Sequence, residues 1–260
     1  MSLAYLECNA LSVILCGSFA LRVFVPEMDT LQLNYKQHEK KYPVVWLLHD
    51  EGGAALDWQT TPAEQCAKEY GVFLIAPDLQ HTLCTNMKYG PQYENFISSE
   101  LRGICQNLFP ISTDPACNWV AGVGTGGYGA VKLALKHPQV FTRAAALNGV
   151  LDLANICKNA LQQKPTGIRH DRESLQAVFG DLNAVAGSGQ DLFALAGPMA
   201  KSKFCFICDK AYAARPQQER LAAQLGPRAE QFFVKETAES GACQQSLPLA
   251  VHWLCKGERG

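Results

Sequence analysis

Short apolar runs alternate with stretches of helical spacing along most of this chain. Six of the runs predict strands, and the most apolar of them are typical of strands covered on both faces. These runs lie at residues 43–49, 71–77, 119–123, 143–147, 203–208 and 231–235. Apolar positions of helical spacing lie between and after them and predict helices. These stretches lie at residues 62–70, 93–108, 216–225 and 247–254. Such alternation implies right-handed crossovers and a mainly parallel sheet.

The start of the chain departs from this alternation. Residues 2–26 predict two antiparallel strands that join the sheet as a hairpin. Their apolar part, residues 9–21, resembles the core of a signal peptide, but it lacks a basic start and stands beside Glu7. The polar residues 27–42 predict a loop, and residues 150–200 predict an insertion of helices and loops. The expected fold is therefore α/β, with helices on both faces of a mixed sheet.

Composition narrows the classes of function. The 260 residues are expected to form a single domain, residues 1–260. Lysine and arginine total 23 against 24 aspartate and glutamate, so no excess of positive charge points to nucleic acid or to a membrane. A small molecule is the expected ligand, no cofactor is expected, and the sequence is compatible with a homo-oligomer. Eleven cysteines, an odd number scattered through apolar stretches, predict reduced thiols and a cytoplasmic protein.

A glycine-rich stretch, residues 118–135, predicts a buried strand that turns sharply into a helix. Its spacing Gly122-x-Gly124-x-x-Gly127 fits a dinucleotide-binding loop, but that loop needs an acidic residue about 20 positions later, and Asp152 comes too late. The same stretch fits the turn that carries the nucleophile of a serine hydrolase, where small residues let strand and helix pass closely. In that interpretation the nucleophile position is Gly124.

The motifs around this turn resemble those of the esterase D and tributyrin esterase family, which is S-formylglutathione hydrolase-like. The matching stretches are Leu47-Leu-His-Asp50, Trp58-Gln-Thr-Thr61, Ala76-Pro-Asp78, Met87-Lys-Tyr-Gly-Pro-Gln-Tyr93, Phe96-Ile-Ser-Ser-Glu-Leu101 and Ala121-Gly-Val-Gly-Thr-Gly-Gly-Tyr-Gly-Ala130. Weaker matches extend the resemblance over nearly the whole chain. It implies an α/β-hydrolase fold and an esterase ancestry.

The catalytic residues that the resemblance implies are missing. The family's nucleophile falls on Gly124, and its acid falls on Tyr212, with Asp209 nearby. The histidine should follow the last strand, but residues 236–243 contain none. His252 comes later, on the closing helix, and is expected to be a packing or surface residue. Without a hydroxyl and a base, no acyl-enzyme forms by the usual route.

Two carboxylates also depart from the family's sequence pattern. Asp50 and Glu51 stand where the family has a glycine-containing turn that supplies an oxyanion donor, and negative charge there would repel a developing oxyanion. Thr125 stands at the position of a methionine in the family, and the backbone N–H of that position belongs to the oxyanion hole. The residual pocket is expected to be formed by six residues. They are His49, Asp50, Glu51, Trp58, Tyr89 and Thr125.

Three hypotheses remain from the sequence. The first is a non-catalytic esterase homologue whose residual pocket binds a small ligand or serves an interface. The second is an active carboxylesterase that uses an unrecognised nucleophile and base. The third is a dinucleotide-binding protein. No metal site is expected in any of them.

Overall fold

A computed structural model describes residues 4–26, 41–197, 201–235 and 243–256. Its centre is an eight-stranded sheet with the strand order β1-β2-β4-β3-β5-β6-β7-β8. The strands are β1 (Ala4–Ser12), β2 (Gly17–Val25), β3 (Val44–Leu48), β4 (Phe73–Pro77), β5 (Asn118–Val123), β6 (Arg143–Leu147), β7 (Lys203–Asp209) and β8 (Ala229–Val234). From β4 to β8 all neighbouring strands are parallel, whereas β1 pairs with β2 and β2 pairs with β4 in antiparallel fashion.

Helices connect the strands and cover both faces of the sheet. They are α1 (Ala63–Tyr70), α2 (Tyr93–Asn95), α3 (Leu101–Leu108), α4 (Thr125–Lys136), α5 (Leu153–Leu161), α6 (Arg172–Phe179), α7 (Leu192–Leu195), α8 (Arg215–Leu225) and α9 (Ser246–Cys255). A π-helical segment joins α2 to α3, so residues 93–108 form one helical stretch, as predicted. The run that resembles a signal peptide forms part of the β1–β2 hairpin. Most of the predicted loop, residues 27–40, lies outside the described residues.

Side chains of each parallel strand alternate between two hydrophobic cores because successive residues of a strand point to opposite faces. On β3, Val44 and Trp46 pack in the core that α3, α4 and α8 cover. Val45 and Leu47 pack in the core that α1 and α9 cover. All five residues of this strand are buried, which explains why its sequence is continuously apolar.

The cysteines contribute to these cores as thiols. All eleven are free, and eight lie in buried positions, including Cys205 on β7. Burial raises the pKa of Cys205 and, to about 12, that of Cys66, so these thiols are protonated at neutral pH. Within the described ranges, no helix has both the length and the apolar character needed to cross a bilayer.

Candidate site at the strand-to-helix turn

Gly124 forms the turn between β5 and α4, at the carboxyl end of a central parallel strand, as the sequence predicted. Its backbone angles are φ 56° and ψ −119°, a conformation that costs glycine far less than any residue with a side chain. The Gly124 N–H donates to the carbonyl of Leu147 at 3.0 Å, and its carbonyl accepts from Val150 at 2.9 Å. The two bonds hold the turn against the end of β6 and the residues that follow it.

The close approach of β3 to α4 also depends on a glycine. A Cβ atom at Gly126 would overlap the carbonyl oxygens of Leu48 and His49, so no side chain fits there. The end of β3 therefore lies directly against the first turn of α4. As a consequence, the residues that follow β3 extend over the N-terminus of this helix.

The space beside Gly124 is occupied by the carboxylate of Asp50. A Cβ atom at Gly124 would overlap this carboxylate. Asp50 Oδ1 accepts hydrogen bonds from Thr125 N at 2.7 Å, from Thr125 Oγ1 at 2.9 Å and from Glu51 N at 2.9 Å. The N-terminus of α4 stabilises a negative charge at this place because its free N–H groups and its dipole point toward it.

The two backbone donors correspond to those of a hydrolase oxyanion hole. In that arrangement, one N–H belongs to the residue after the nucleophile and the other to the loop after the first parallel strand. Thr125 N and Glu51 N stand at these two positions, and both donate to Asp50 Oδ1. The carboxylate of Asp50 therefore engages both of these backbone donors.

Glu51 turns away from the helix and binds the insertion between β6 and β7. Its carboxylate accepts from the backbone N–H of Arg169 and from that of His170, the latter at 3.2 Å, and it contacts His170 Nδ1. His170 Nε2 lies 3.0 Å from the carbonyl of His81. One buried histidine thus joins the loop after β3, the loop after β4 and the insertion. Sequence reasoning missed this pair because residues 51 and 170 are far apart and no motif links them.

The pKa values of the two groups shift in opposite directions. Burial opposes ionisation of Glu51, but hydrogen bonds from His170 and Arg169 outweigh burial and lower the Glu51 pKa below its ordinary value. Burial likewise lowers the pKa of His170, yet its hydrogen bonds to Glu51 and His81 outweigh burial and raise that pKa. Both shifts favour a carboxylate beside an imidazolium.

His49 lies next to the turn, but both of its ring nitrogens have partners. Nε2 accepts from the N–H of Leu79 at 2.9 Å, which leaves the proton on Nδ1, 2.7 Å from the carbonyl oxygen of Asp50. The side chain is buried. His49 therefore connects the ends of β3 and β4 and has no free nitrogen that could accept a proton from a nucleophile.

Little open volume remains around these groups. A cavity of about 10 Å³ lies between the loops after β3 and β4, and its walls include His49, Asp50, Glu51 and Thr125. A volume of that size holds one water molecule at most. Asp50 itself is exposed on the outer side of this cavity. An organic ligand therefore has access to the solvent-facing side of Asp50 and no space beneath it.

The loop after β4 that encloses this cavity has an unusual backbone. Gln80, Leu83 and Cys84 all have positive φ angles, between 50° and 51°. Such conformations cost residues with side chains energy and occur most often at functional sites. Cys84 lines the cavity, and burial raises its pKa to about 12, so it is not a reactive thiolate.

The two acid positions lie at the end of β7. Asp209 Oδ1 accepts from the N–H of Ala211 at 2.7 Å and so closes the turn after the strand. Tyr212 is half-buried, and its pKa is raised to about 12 by burial and then by the nearby charges of Asp50 and Glu51. Tyr212, where the resemblance placed the family's acid, therefore lies within the electrostatic influence of the two carboxylates.

The remaining predicted residues lie elsewhere. Trp58 is buried in the core beneath α1 and α9 and does not line the cavity. Tyr89 is 73% exposed, and its N–H donates to Ala177 at the end of α6. His252 is exposed on α9, where its ring contacts Tyr70. Residues 236–242, where the family's histidine was expected, lie outside the described residues. The assignment of Trp58 and Tyr89 to a binding pocket stays a prediction.

Comparison with known proteins places this geometry in a family. The family model described as "Putative esterase" matches residues 27–203. An acetyl esterase of Caldicellulosiruptor saccharolyticus is 26% identical over 168 residues, or 61% of this chain, and the match spans 60% of that relative's length.

Solved structures show the same fold over nearly the whole chain. Fluorophosphonate-binding serine hydrolase F of Staphylococcus aureus, solved with substrate bound, has a TM-score of 0.83 and 23% identity, over 97% of this chain and 98% of that one. S-formylglutathione hydrolase of the same organism, an apoenzyme, has a TM-score of 0.79 and 23% identity, over 98% of this chain and 100% of that one. These matches confirm the predicted α/β-hydrolase fold.

Proposed function

The chain belongs to the esterase family, and we propose that it is a non-catalytic member whose former active site is occupied by its own Asp50 carboxylate. The observation that carries this proposal is the set of hydrogen bonds from Thr125 and Glu51 to Asp50 Oδ1, beside a nucleophile position that has no side chain. An ester carbonyl would have to displace this carboxylate to reach the same two backbone donors. Charge repulsion would oppose the oxyanion that forms next.

Within the described residues, the ring nitrogens of the histidines beside the turn are engaged in other contacts, which supports the same proposal. Serine-type chemistry needs a hydroxyl and a histidine that takes its proton. Two histidines near the turn, His49 and His170, both use their ring nitrogens in other contacts. Residues 236–243, where the family's histidine would stand, contain no histidine in the sequence. Restoring a serine at Gly124 alone is therefore expected to leave the protein inactive.

The residual role that we propose is binding, on the solvent-facing side of the turn. Asp50 is exposed and Tyr212 is half-buried beside it, whereas the space beneath them is only about 10 Å³. This arrangement favours a small molecule or a protein surface that meets the turn from outside. The balanced charge supports a ligand other than nucleic acid or membrane, and the eleven free thiols support a cytoplasmic location.

An activity-based experiment tests the proposal. Purified protein is incubated with a fluorophosphonate probe and, separately, with short-chain p-nitrophenyl esters, with cysteines blocked in a parallel sample. We expect no labelled serine and no burst of p-nitrophenol, in the wild type and in Asp50→Gly, which removes the occupying carboxylate. Stoichiometric labelling of a serine, or enzyme-like turnover that survives cysteine blocking, would refute a non-catalytic role.

The alternative of an active hydrolase rests on one observation. The Thr125 hydroxyl lies 2.9 Å from Asp50 Oδ1, so a hydroxyl and a carboxylate that could accept its proton are adjacent at the turn. If Thr125 were the nucleophile, ester turnover would be present in the wild type and lost in Thr125→Val.

The dinucleotide hypothesis is disfavoured because Asp50 places negative charge where a pyrophosphate would lie, and titration with NAD tests it.

A further inference from the structure

A larger cavity lies beyond the loop that follows β4. Its volume is about 350 Å³, and residues 85–88 and 178–190 form its walls. The apolar part of the lining consists mainly of Met87, Val178, Phe179 and Val185. Thr85 and Gln190 contribute polar atoms to the same lining. Asn86, Lys88, Asp181 and Ser188 complete the polar part, so polar and apolar side chains share the walls of a cavity large enough for a small molecule.

A buried lysine lies behind the polar part of this lining. Lys132 stands on α4 and has no exposed surface. Its Nζ lies 2.5 Å from Thr85 Oγ1 and 3.2 Å from Gln190 Oε1. Both oxygen atoms belong to residues that line the cavity, so the ammonium group is separated from the cavity by a single layer of side chains.

The charges around Lys132 do not balance. Its one anionic neighbour among the described residues is Glu94, with Oε2 at 3.4 Å. The same carboxylate also contacts Lys136 at 2.5 Å and His137 at 3.2 Å. One carboxylate therefore serves two ammonium groups even when His137 is neutral. Burial lowers the pKa of Lys132 to about 8 because water no longer solvates its charge, and Glu94 offsets only part of that effect.

An excess of positive charge behind a cavity favours an anionic occupant, because the protein interior screens charge poorly. The apolar walls favour a ligand with a hydrocarbon part, and one excess charge suits a monoanion better than a phosphate. We propose that this cavity binds a small monocarboxylate, with its carboxylate toward Gln190 and its chain against Val178 and Phe179. The exposed Lys88 at the rim adds attraction from outside, while the rim carboxylate of Asp181 accepts from Asn183.

Binding of butyrate, measured by calorimetry and by NMR titration, tests this site. We expect butyrate to bind at pH 7 with at least ten-fold higher affinity than butyramide, which has the same shape without the charge. Shifts of backbone resonances should concentrate at residues 85–88 and 178–190. Affinity should fall as pH rises above about 8, because Lys132 then loses its proton.

Variants locate the site. Ala184→Trp places a large side chain at an exposed wall position and should weaken butyrate binding at least ten-fold. Asn155→Trp is the matched control, since Asn155 is equally exposed but lines a separate cavity of about 530 Å³. Equal affinity for butyrate and butyramide, no binding of butyrate, or binding that Ala184→Trp leaves unchanged would overturn the proposal. These tests do not use Gly124 or Asp50, so their outcome is independent of esterase activity.

Discussion

Helix α4 carries two polar regions that differ in how their charge is satisfied. At its N-terminus, the donors of the helix are used by the chain's own Asp50, and the cavity that remains is about 10 Å³. Lys132 lies about two turns further along the same helix, beside a cavity of about 350 Å³, and shares the single carboxylate of Glu94 with Lys136. The helix N-terminus, which the family resemblance indicates as the site, is filled by a side chain of the same protein. The region beside Lys132 has open volume but carries no recognised motif.

The contrast has a simple electrostatic origin. A helix N-terminus attracts one negative charge, and Asp50 supplies it from a loop that β3 fixes in place. The charge of Lys132 is shared with Lys136 around a single carboxylate, Glu94, so this region remains positive. An internal group satisfies the first region. The second region, around Lys132, keeps an excess of positive charge that an external anion would balance.

The largest expected effect concerns Glu94, the carboxylate that holds the second region together. Glu94→Gln keeps the shape but leaves Lys132 and Lys136 without a counter-charge, and removing one partner of a buried ion pair typically costs about 3–5 kcal/mol. We expect the free energy of unfolding in urea to fall by that amount. Glu230→Gln, at an exposed position of β8, is the control and should change it by less than about 0.5 kcal/mol. A Glu94→Gln protein as stable as the control would show that the cations are solvated.

The next effect concerns the occupied turn. Gly124→Ser places a side chain at φ 56°, a strain worth about 1–3 kcal/mol, and its Cβ overlaps the Asp50 carboxylate. We expect a loss of unfolding free energy at least in that range and no turnover of p-nitrophenyl acetate. In an Asp50→Gly background the loss should be smaller, because the overlap is gone. Gly103→Ser, at an open helical position, is the control and should be close to neutral.

A stable Gly124→Ser protein would contradict the geometry of this turn. The same holds if Asp50→Gly leaves the cost of the serine unchanged, because the two residues would then not compete for space. Enzyme-like ester turnover by Gly124→Ser would mean that the chain contains a base. In that case the missing histidine would have a substitute.

A smaller effect is expected from Asp50 itself. Asp50→Ala removes a carboxylate that accepts from Thr125 and Glu51 at a helix N-terminus, a contribution of about 0.5–2 kcal/mol. Asp50→Asn keeps an acceptor and loses only the charge, so it should cost less. Thermal unfolding of the wild type, Asp50→Ala and Asp50→Asn at low and high salt measures the loss of stability from each substitution. A cost of Asp50→Ala near zero would mean that the exposed carboxylate does not stabilise the turn.

The smallest effect is a pH dependence from the Glu51–His170 pair. The folded-state pKa of His170 is raised, so its stabilisation is complete below about pH 6.5 and is lost as pH rises through the folded value. Protonated His170 donates to both Glu51 and His81, whereas the neutral ring donates to only one of them. The Glu51 pKa is lowered, so its contribution is present above about pH 4.5 and is lost in acid. Unfolding measured from pH 5 to 9 should show a decline that His170→Gln removes. An unchanged slope in the variant would assign the decline to other groups.

Much of the fold follows directly from the sequence. The continuous apolar runs dictated the parallel strands, because a strand buried on both faces tolerates no polar side chain in its interior. The predicted strands and helices correspond to described elements, with ends that agree to within about two residues. The small residues from Gly122 to Gly127 dictated the sharp turn, since only they allow β3 and α4 to approach so closely. The sequence alone also shows that residue 124, at this turn, is a glycine without a side chain.

The tertiary structure decided what fills the space that the missing side chain leaves. Asp50 meets Gly124 across 74 positions of the chain, and Glu51 meets His170 across 119. Lys132 likewise meets Thr85 across 47 positions. No local pattern encodes such contacts, because they depend on how strands β3 and β5 align in the sheet and on where the insertion folds back. Residue types told us which charges the chain carries. Only the packing of loops against α4 determined which charge is satisfied within the protein and which is left for a ligand.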